Sequence, residues 1–394
     1  SIYGNIKTIQ ARSEGLTNML SVSKVMEVHT ILIATDRWRD VPYTEAGLLV
    51  DGKLQPSYDT QEEIYPALLA KLKEAADGFA EGGTDDLGDG DLLFAGDVEK
   101  WQKFCNSLRL RIAMRISGVS TELSKSVVEE VLANPAKYPI MTSNEDNAFF
   151  YWIGSDPNYY EPVANAFRTR PNDHGGSDVM INHMNERKDP RRSAFFSPTG
   201  ATEGSGEPVF NGFVIGSLAW ASPVSDYSRL SVKYGQDLGG FSPFMRAAEV
   251  YFIIAEAALK NWNTGIGAEE AYEEALSLSL EENGVSSGDA TAYINGAGKY
   301  NGSLKQIWYE QWVAMFKQGM EGWSHTRRTG VPENLYVAPG RAPQYTDHNV
   351  PPFRSPYPDT ERNLNSVNCK PFDEQVVDNL WGKQMWWDTR TGVH

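Results

Sequence analysis

The sequence predicts an all-α fold: degenerate tetratricopeptide-like helical hairpins with long irregular ligand-binding loops and few short strands. Three observations predict it. Apolar residues recur at three- and four-residue spacing through 60–80, 97–117, 121–134, 244–283 and 303–320, the pattern of helices that bury one stripe. Within 244–283, small alanines alternate with large residues, as in a closely packed helix pair. Long irregular stretches (81–96, 147–176, 197–243 and 331–380) separate these runs, and no strand–helix alternation signals a parallel sheet.

Residues 60–80, TQEEIYPALLAKLKEAADGFA, open on Thr60 as an N-cap with Glu63 three positions later, a capping box. Ile64, Leu68, Leu69 and Leu72 then form the stripe. Residues 97–117 begin at an Asp97 cap and carry Trp101, Phe104, Leu108 and Ile112 on one face; 121–134 reads as a shorter partner helix. The stretch NAFFYWIGSDPNYYEPVANAFR, 147–168, sets six aromatic side chains among Gly, Pro, Asp and Asn. That composition suits neither a clean helix nor a clean strand, so a loop is expected. Short strands are expected around 208–215. In 244–283 two helices flank a turn at Asn263–Gly267, and Ala255, Ala258, Ala271 and Ala275 let them approach beside Tyr251, Phe252 and Tyr272. Residues 303–320 are predicted as one amphipathic helix, followed by EGWSHTRRTG. One domain over 1–394 is expected, with the helical scaffold mainly in 1–134 and 244–330 and a loop-rich, ligand-binding part mainly in 135–243 and 331–380.

Composition narrows the function. With 394 residues and 41% hydrophobic content the chain can bury a sizeable core. A net charge of −16 repels phosphate backbones, which argues against nucleic acid as a partner. No run approaches the length of a membrane span. The opening SIYGNIKTIQ has neither an initiator Met nor a secretion signal and reads as a processed or trimmed form. Cys105 and Cys369 make no disulfide framework or metal cluster, and Cys105 reads as a buried small residue. There is no Gly-rich phosphate loop, HExxH, GxSxG or CxxC. The histidines lack ligand spacing, His325 reads as structural, and the acidic pairs Asp85–Asp86 and Glu129–Glu130 read as solvated faces. No catalytic constellation and no cofactor are therefore expected.

The aromatic inventory, 11 Trp, 18 Tyr and 16 Phe, exceeds what a core of this size needs. Flat side chains in excess suit a ring-shaped ligand. A sugar presents one face of C–H groups, which stacks on a ring, and a rim of hydroxyls, which asks for Asp, Asn and Arg. Trp152, Tyr159, Tyr160, Arg168, Asn172 and Asp173, beside His174, supply both kinds of group. Trp220 and Tyr227, in SLAWASPVSDYSR, are further candidate platforms. Phe149 and Phe150 are expected to anchor the loop, while Trp101, Trp308, Trp312, Trp386 and Trp387 are expected in the packing.

Several segments together resemble one family. DRWRDVPYTEA (36–46) is similar to the W-G-D-V-P-Y-S-E-A signature of the SusD/RagB nutrient-binding lipoproteins, with Arg39 in place of Gly. Tyr58 to Tyr65 resembles its Y-D-T-Q-E-x-I-Y helix start, and Lys100-Trp101 through Asn106-Ser107-Leu108-Arg109-Leu110-Arg111 its K-W-x-K-F-A-N-S-L-R-L-R helix, with Cys105 for Ala. Ala248 to Ala257, Trp308 to Gly330, Pro356-Tyr357-Pro358 and Trp386-Trp387-Asp388 follow in the family's order. The resemblance is strongest to the starch-binding, outer-membrane branch. It implies a cell-surface, outer-membrane protein that captures oligosaccharides and delivers them to a TonB-dependent, SusC-like transporter. It also implies a lipid anchor on a cysteine that this chain does not contain. Two other readings stay open: a peptide-binding relative or helical-repeat interaction scaffold, and an α-rich glycoside hydrolase.

Overall fold

The structure, a computed structural model, describes residues 2–48, 52–171, 174–200, 206–217, 223–340, 346–376 and 381–394. The first half stacks α1 (Ile2–Arg12), α2 (Thr17–Trp38), α3 (Gln61–Glu81), α4 (Val98–Arg115) and α5 (Thr121–Ala133), each packed on the next. The second scaffold is the hairpin α9 (Ala247–Leu259) and α10 (Ala268–Glu282), followed by α11 (Ser287–Asn295), α12 (Leu304–Ala314) and α13 (Gly319–Thr329). Helix α9 packs on both α4 and α12, which joins the two halves. Between them lie α6 (Pro162–Thr169), α7 (Asp178–Arg187) and α8 (Arg192–Phe195); α14 (Asp359–Leu364) and α15 (Ser366–Asp373) follow the scaffold.

Local signals account for the early helix starts. Thr60 Oγ1 accepts from Glu63 N at 3.3 Å while Thr60 N donates to Glu63 Oε2 at 2.9 Å, the reciprocal capping box. Asp97 accepts from Lys100 N at 3.1 Å and starts α4. The expected hairpin turn lies between Leu259 and Ala268, with Ala255, Ala271 and Ala275 fully buried at the contact.

Four expectations change. Residues 147–168 are not one loop. They hold strand β1 (Ala148–Tyr151), a turn of 3-10 helix at Pro157–Tyr159, and α6, where Glu161 caps Ala164 N at 2.7 Å and Pro162 takes the first turn. β1 pairs antiparallel with β4 (Phe241–Met245), nearly a hundred residues on, and Phe149 stacks on Phe241 at 4.5 Å. Residues 208–215 form no strand; Pro208 and Phe213 sit in isolated bridges, the latter to Ser177, and the other short pair is β2 (Phe196–Ser197) with β3 (Arg229–Leu230). The helix expected over 303–320 ends at Ala314. Lys317 turns left-handed (φ 71), and Gln318 turns inward, donating to Phe244 O at 3.1 Å and accepting from Arg246 at 2.7 Å. Lastly, Asp85 and Glu129 are not merely solvated. Asp85 accepts from Asn18 N and Met19 N at the start of α2, and Glu129 accepts from Asn263 N.

The tryptophan surplus has a different use from the one expected. No described Trp is exposed. Instead, indole N–H groups hold irregular segments: Trp38 on α2 to Pro356 O (3.0 Å), Trp323 on α13 to Pro352 O (3.1 Å) and Trp101 on α4 to Asp91 (2.7 Å), while Trp381 ties the C-terminal segment to Val350 O (2.8 Å). Each ring buries apolar area while its one donor satisfies a loop acceptor. Trp101 and Trp387 are buried, Trp308 and Trp386 half-buried; Trp312 is also half-buried and borders a cavity.

A third of helix α4 is charged, yet it is buried nearly all round. Its arginines are neutralised across helices: Arg109 by Glu130, Arg111 by Glu249 (2.6 Å), Arg115 by Asp36 (2.6 Å) and Glu321. A second buried group joins Arg191 to Asp189 and Glu310. Such pairs cost desolvation and leave an expensive charge when one partner goes. Cys105 is buried, and burial pushes its thiol up to about 12. His325 is buried with Nε2 2.9 Å from Trp308 O; burial brings its pKa down to about 3, so the ring is neutral and structural.

Candidate functional site

A trough of about 890 Å³ opens between the loop before α4, residues 144–151 and the β4 region. Strand geometry sets its aromatic side. Successive side chains alternate faces, so Phe149 and Tyr151 share one face, Phe150 and Trp152 the other. Phe149 and Phe241 form the floor, and the Tyr151 ring stands on them, edge-on to Phe149 at 6.5 Å and tilted to Phe241 at 6.0 Å. Tyr151 is 63% exposed. Burial of its base, with Glu282 nearby, raises its pKa, which keeps the phenol neutral.

Hydrogen-bonding groups surround the ring: Asp89, Glu145, Asn144, Asn147, Lys100 and Lys233. Leu92, largely exposed, adds an apolar shoulder. The opposite wall is held by Asp91, whose carboxylate accepts from Leu93 N (3.0 Å), Gly96 N (2.9 Å) and Trp101 Nε1 (2.7 Å). Asp91→Ala should lower stability by about 1–3 kcal/mol, because it strands these donors. Chemical denaturation read by tryptophan fluorescence measures it, and an unchanged midpoint would show that the wall does not depend on Asp91. The ring and the polar groups together fit a ligand with C–H faces and hydroxyls.

None of the described candidates placed from sequence lines this trough. Trp152 continues β1, donates its indole N–H to Ser242 Oγ at 2.9 Å and meets Phe150 edge-on at 5.2 Å; it is half-buried. Tyr159, on the 3-10 turn, is 53% exposed. Tyr160 and Arg168 are brought together by α6, the guanidinium 5.5 Å from the ring centre, while Arg168 also donates to Asn165 at 3.0 Å. Tyr227 is half-buried, edge-on to Phe213 at 5.4 Å. Asn172, Asp173 and Trp220 lie outside the described residues. Sequence reasoning missed Tyr151, Leu92, Asp89 and Lys233. Four aromatics run together at Phe149–Trp152, and no polar–apolar alternation among them singles out Tyr151. Among the described residues, no group of three or more His, Cys, Asp or Glu side chains is placed to hold a metal ion.

Fold and trough define a helical-hairpin binding scaffold that presents an aromatic ring in a polar groove. The chain belongs to the SusD-like_2 family, described as starch-binding and associating with the outer membrane, whose model matches residues 2–358. Among solved structures it is similar to a chitin-binding protein at 25% identity, with a TM-score of 0.86 over 98% of this chain and 85% of that one. A SusD homologue from Bacteroides uniformis is 26% identical, with a TM-score of 0.83 over 99% and 85%. A chitin-binding SusD homologue from Flavobacterium johnsoniae is 26% identical, with a TM-score of 0.82 over 98% and 84%. No curated protein matches. Among the described residues, no helix is long and apolar enough to cross a membrane.

Proposed function

We propose that this protein captures oligosaccharides at the outer-membrane surface and delivers them to a TonB-dependent, SusC-like transporter. The observation that carries the reading is the Tyr151 ring, standing exposed over a trough edged by carboxylates, amides and ammonium groups. A pyranose stacks its C–H face on such a ring while its hydroxyls find two-way partners at the rim. Family membership and the two chitin-binding neighbours support a glycan as ligand. In this reading Trp152, Tyr159, Tyr160, Arg168 and Tyr227 add to the contact surface, and Asn172, Asp173 and Trp220 are further proposed contacts. The protein performs no chemistry on its ligand; transfer needs only different affinities in the open and closed assembly. A lipid on a cysteine outside this chain holds it at the cell surface.

Calorimetric titration with maltooligosaccharides, chitooligosaccharides and a panel of peptides tests the reading. Heat with at least one oligosaccharide series, none with peptides and full recovery of uncleaved sugar is the expected result. Peptide binding alone would favour the interaction-scaffold reading, and shortened sugars would mean a hydrolase. Co-purification with a transporter encoded beside it tests delivery.

A further inference from the structure

A second cavity, of about 800 Å³, lies on the other side of the Tyr234 ring. Tyr234 contacts Phe241 at 5.8 Å on the trough side and Phe316 at 4.9 Å on the cavity side, and no described residue lines both spaces. The two differ in chemistry. The trough is edged by Asp89, Asp91, Glu145 and Glu282. The cavity is walled by apolar side chains, chiefly Trp312, Trp323, Phe316, Met180 and Met315, and no described residue that lines it is an Asp or Glu.

Three cations do line it: Lys317, Arg327 and Arg390. In a chain of net charge −16 that is a local inversion of sign. Two of the cations are neutralised, Lys317 by Glu161 at 3.3 Å and Arg390 by Asp388 at 2.8 Å. Arg327 is not. It is buried, lies over the Trp323 ring 3.8 Å from its centre, and donates to Trp323 O (3.2 Å), Phe353 O (2.8 Å) and Ser324 Oγ (2.9 Å). All three are neutral acceptors. The carboxylates that act on it from further off, Asp36 and Asp388, are engaged by Arg115 and Arg390. Burial brings the Arg327 pKa down to about 9, a direction that fits an uncompensated charge, although an arginine so placed stays protonated at neutral pH. An unneutralised buried cation is costly, and an anion supplied by a ligand removes the cost.

We propose that this cavity is a second binding site, for a small organic carboxylate with an apolar, ring-sized body. The body lies among Trp312, Phe316 and Trp323, and the carboxylate faces the Arg327 side. This site shares no described residue with the sugar trough and stands whether or not the trough binds glycans.

The test uses the whole chain and three probes of one shape: naphthalene-2-carboxylate, its neutral carboxamide and the cationic naphthalene-2-methylammonium, titrated with tryptophan fluorescence and calorimetry as readouts. The carboxylate is expected to bind about tenfold or more tightly than the amide, and the ammonium more weakly still. Gly322, on α13, lines the cavity, and a Cβ built there meets nothing within 4 Å. Gly322→Phe therefore fills the space from a helical position, and it should abolish probe binding with thermal stability and oligosaccharide binding retained. Arg327→Met, if it folds, should bind amide and carboxylate equally. Equal binding of amide and carboxylate by the unaltered protein, no binding of either, or full binding by a folded Gly322→Phe would overturn the proposal.

Discussion

Replacing Arg115 by methionine is expected to cost about 3–5 kcal/mol of stability at neutral pH. Arg115 is buried on α4, pairs with Asp36 of α2 at 2.6 Å and with Glu321 of α13, and lies 5.3 Å from the Trp387 ring. It therefore ties the first hairpins, the late scaffold and the C-terminal segment at one point. Methionine keeps much of the apolar stem but removes the charge, which leaves two carboxylates facing each other out of water. Asp36 would retain Ser324 Oγ at 3.3 Å and the Tyr65 hydroxyl; among the described residues Glu321 would retain Arg111, at 3.9 Å. The pH dependence carries the signature. In the native protein burial pushes Glu321 up, but Arg115 and Arg111 outweigh it and hold the carboxyl down at about 2. A folded pKa below the unfolded value, about 4.3, gives stability that is present above that value and lost as pH falls through about 2. Without Arg115 burial wins and the folded pKa rises above the unfolded one, so the variant loses stability as pH rises. Urea denaturation at pH 7 and pH 5 should show the deficit shrinking on acidification. A deficit independent of pH would mean that lost packing, not stranded charge, is the cause.

Tyr151→Ala is expected to remove about 1–3 kcal/mol of glycan affinity, the usual worth of a ring at the centre of a contact. Because the ring is mostly in solvent, the thermal midpoint should hardly move. Tyr159→Ala should weaken binding without a stability cost for the same reason. Trp152→Ala should weaken binding and lower stability too, since its indole donates to Ser242 and packs on Phe150. The three variants separate two placements of the sugar. Loss at Tyr151 alone puts it over the trough, and loss at Tyr159 with Tyr151 silent puts it along α6. Unchanged affinity in all three would remove residues 147–168 as the site.

How much could be read in advance followed the range of the interaction. The Thr60 and Asp97 caps satisfy backbone donors three residues away, so their meaning lies within one turn of chain. The break at Lys317 was not visible in SLKQIWYEQWVAMFKQGM, because Gln318 is drawn inward by Arg246 and Phe244, some seventy residues back. The arginines of α4 look like a solvated face until Glu130, Asp36, Glu249 and Glu321 arrive from four other places in the chain. The tryptophan surplus holds loops such as 350–356, where Trp38 and Trp323 tie Pro356 and Pro352 to α2 and α13 and Trp381 ties Val350 to the C-terminal segment.

Amino-acid order alone carried the helical class, the starts of α3 and α4, the α9–α10 hairpin and the family signatures, since each rests on side chains a few positions apart. Which rings reach solvent was settled by folding. Phe149, Tyr151, Trp152 and Tyr159 are neighbours in sequence, yet one is a floor, one a platform, one a peg and one a free edge. Exposure is a property of what packs against a side chain. For Phe149, Tyr151 and Trp152 that was decided by a strand pairing with residues 241–245, a contact that no local pattern encodes.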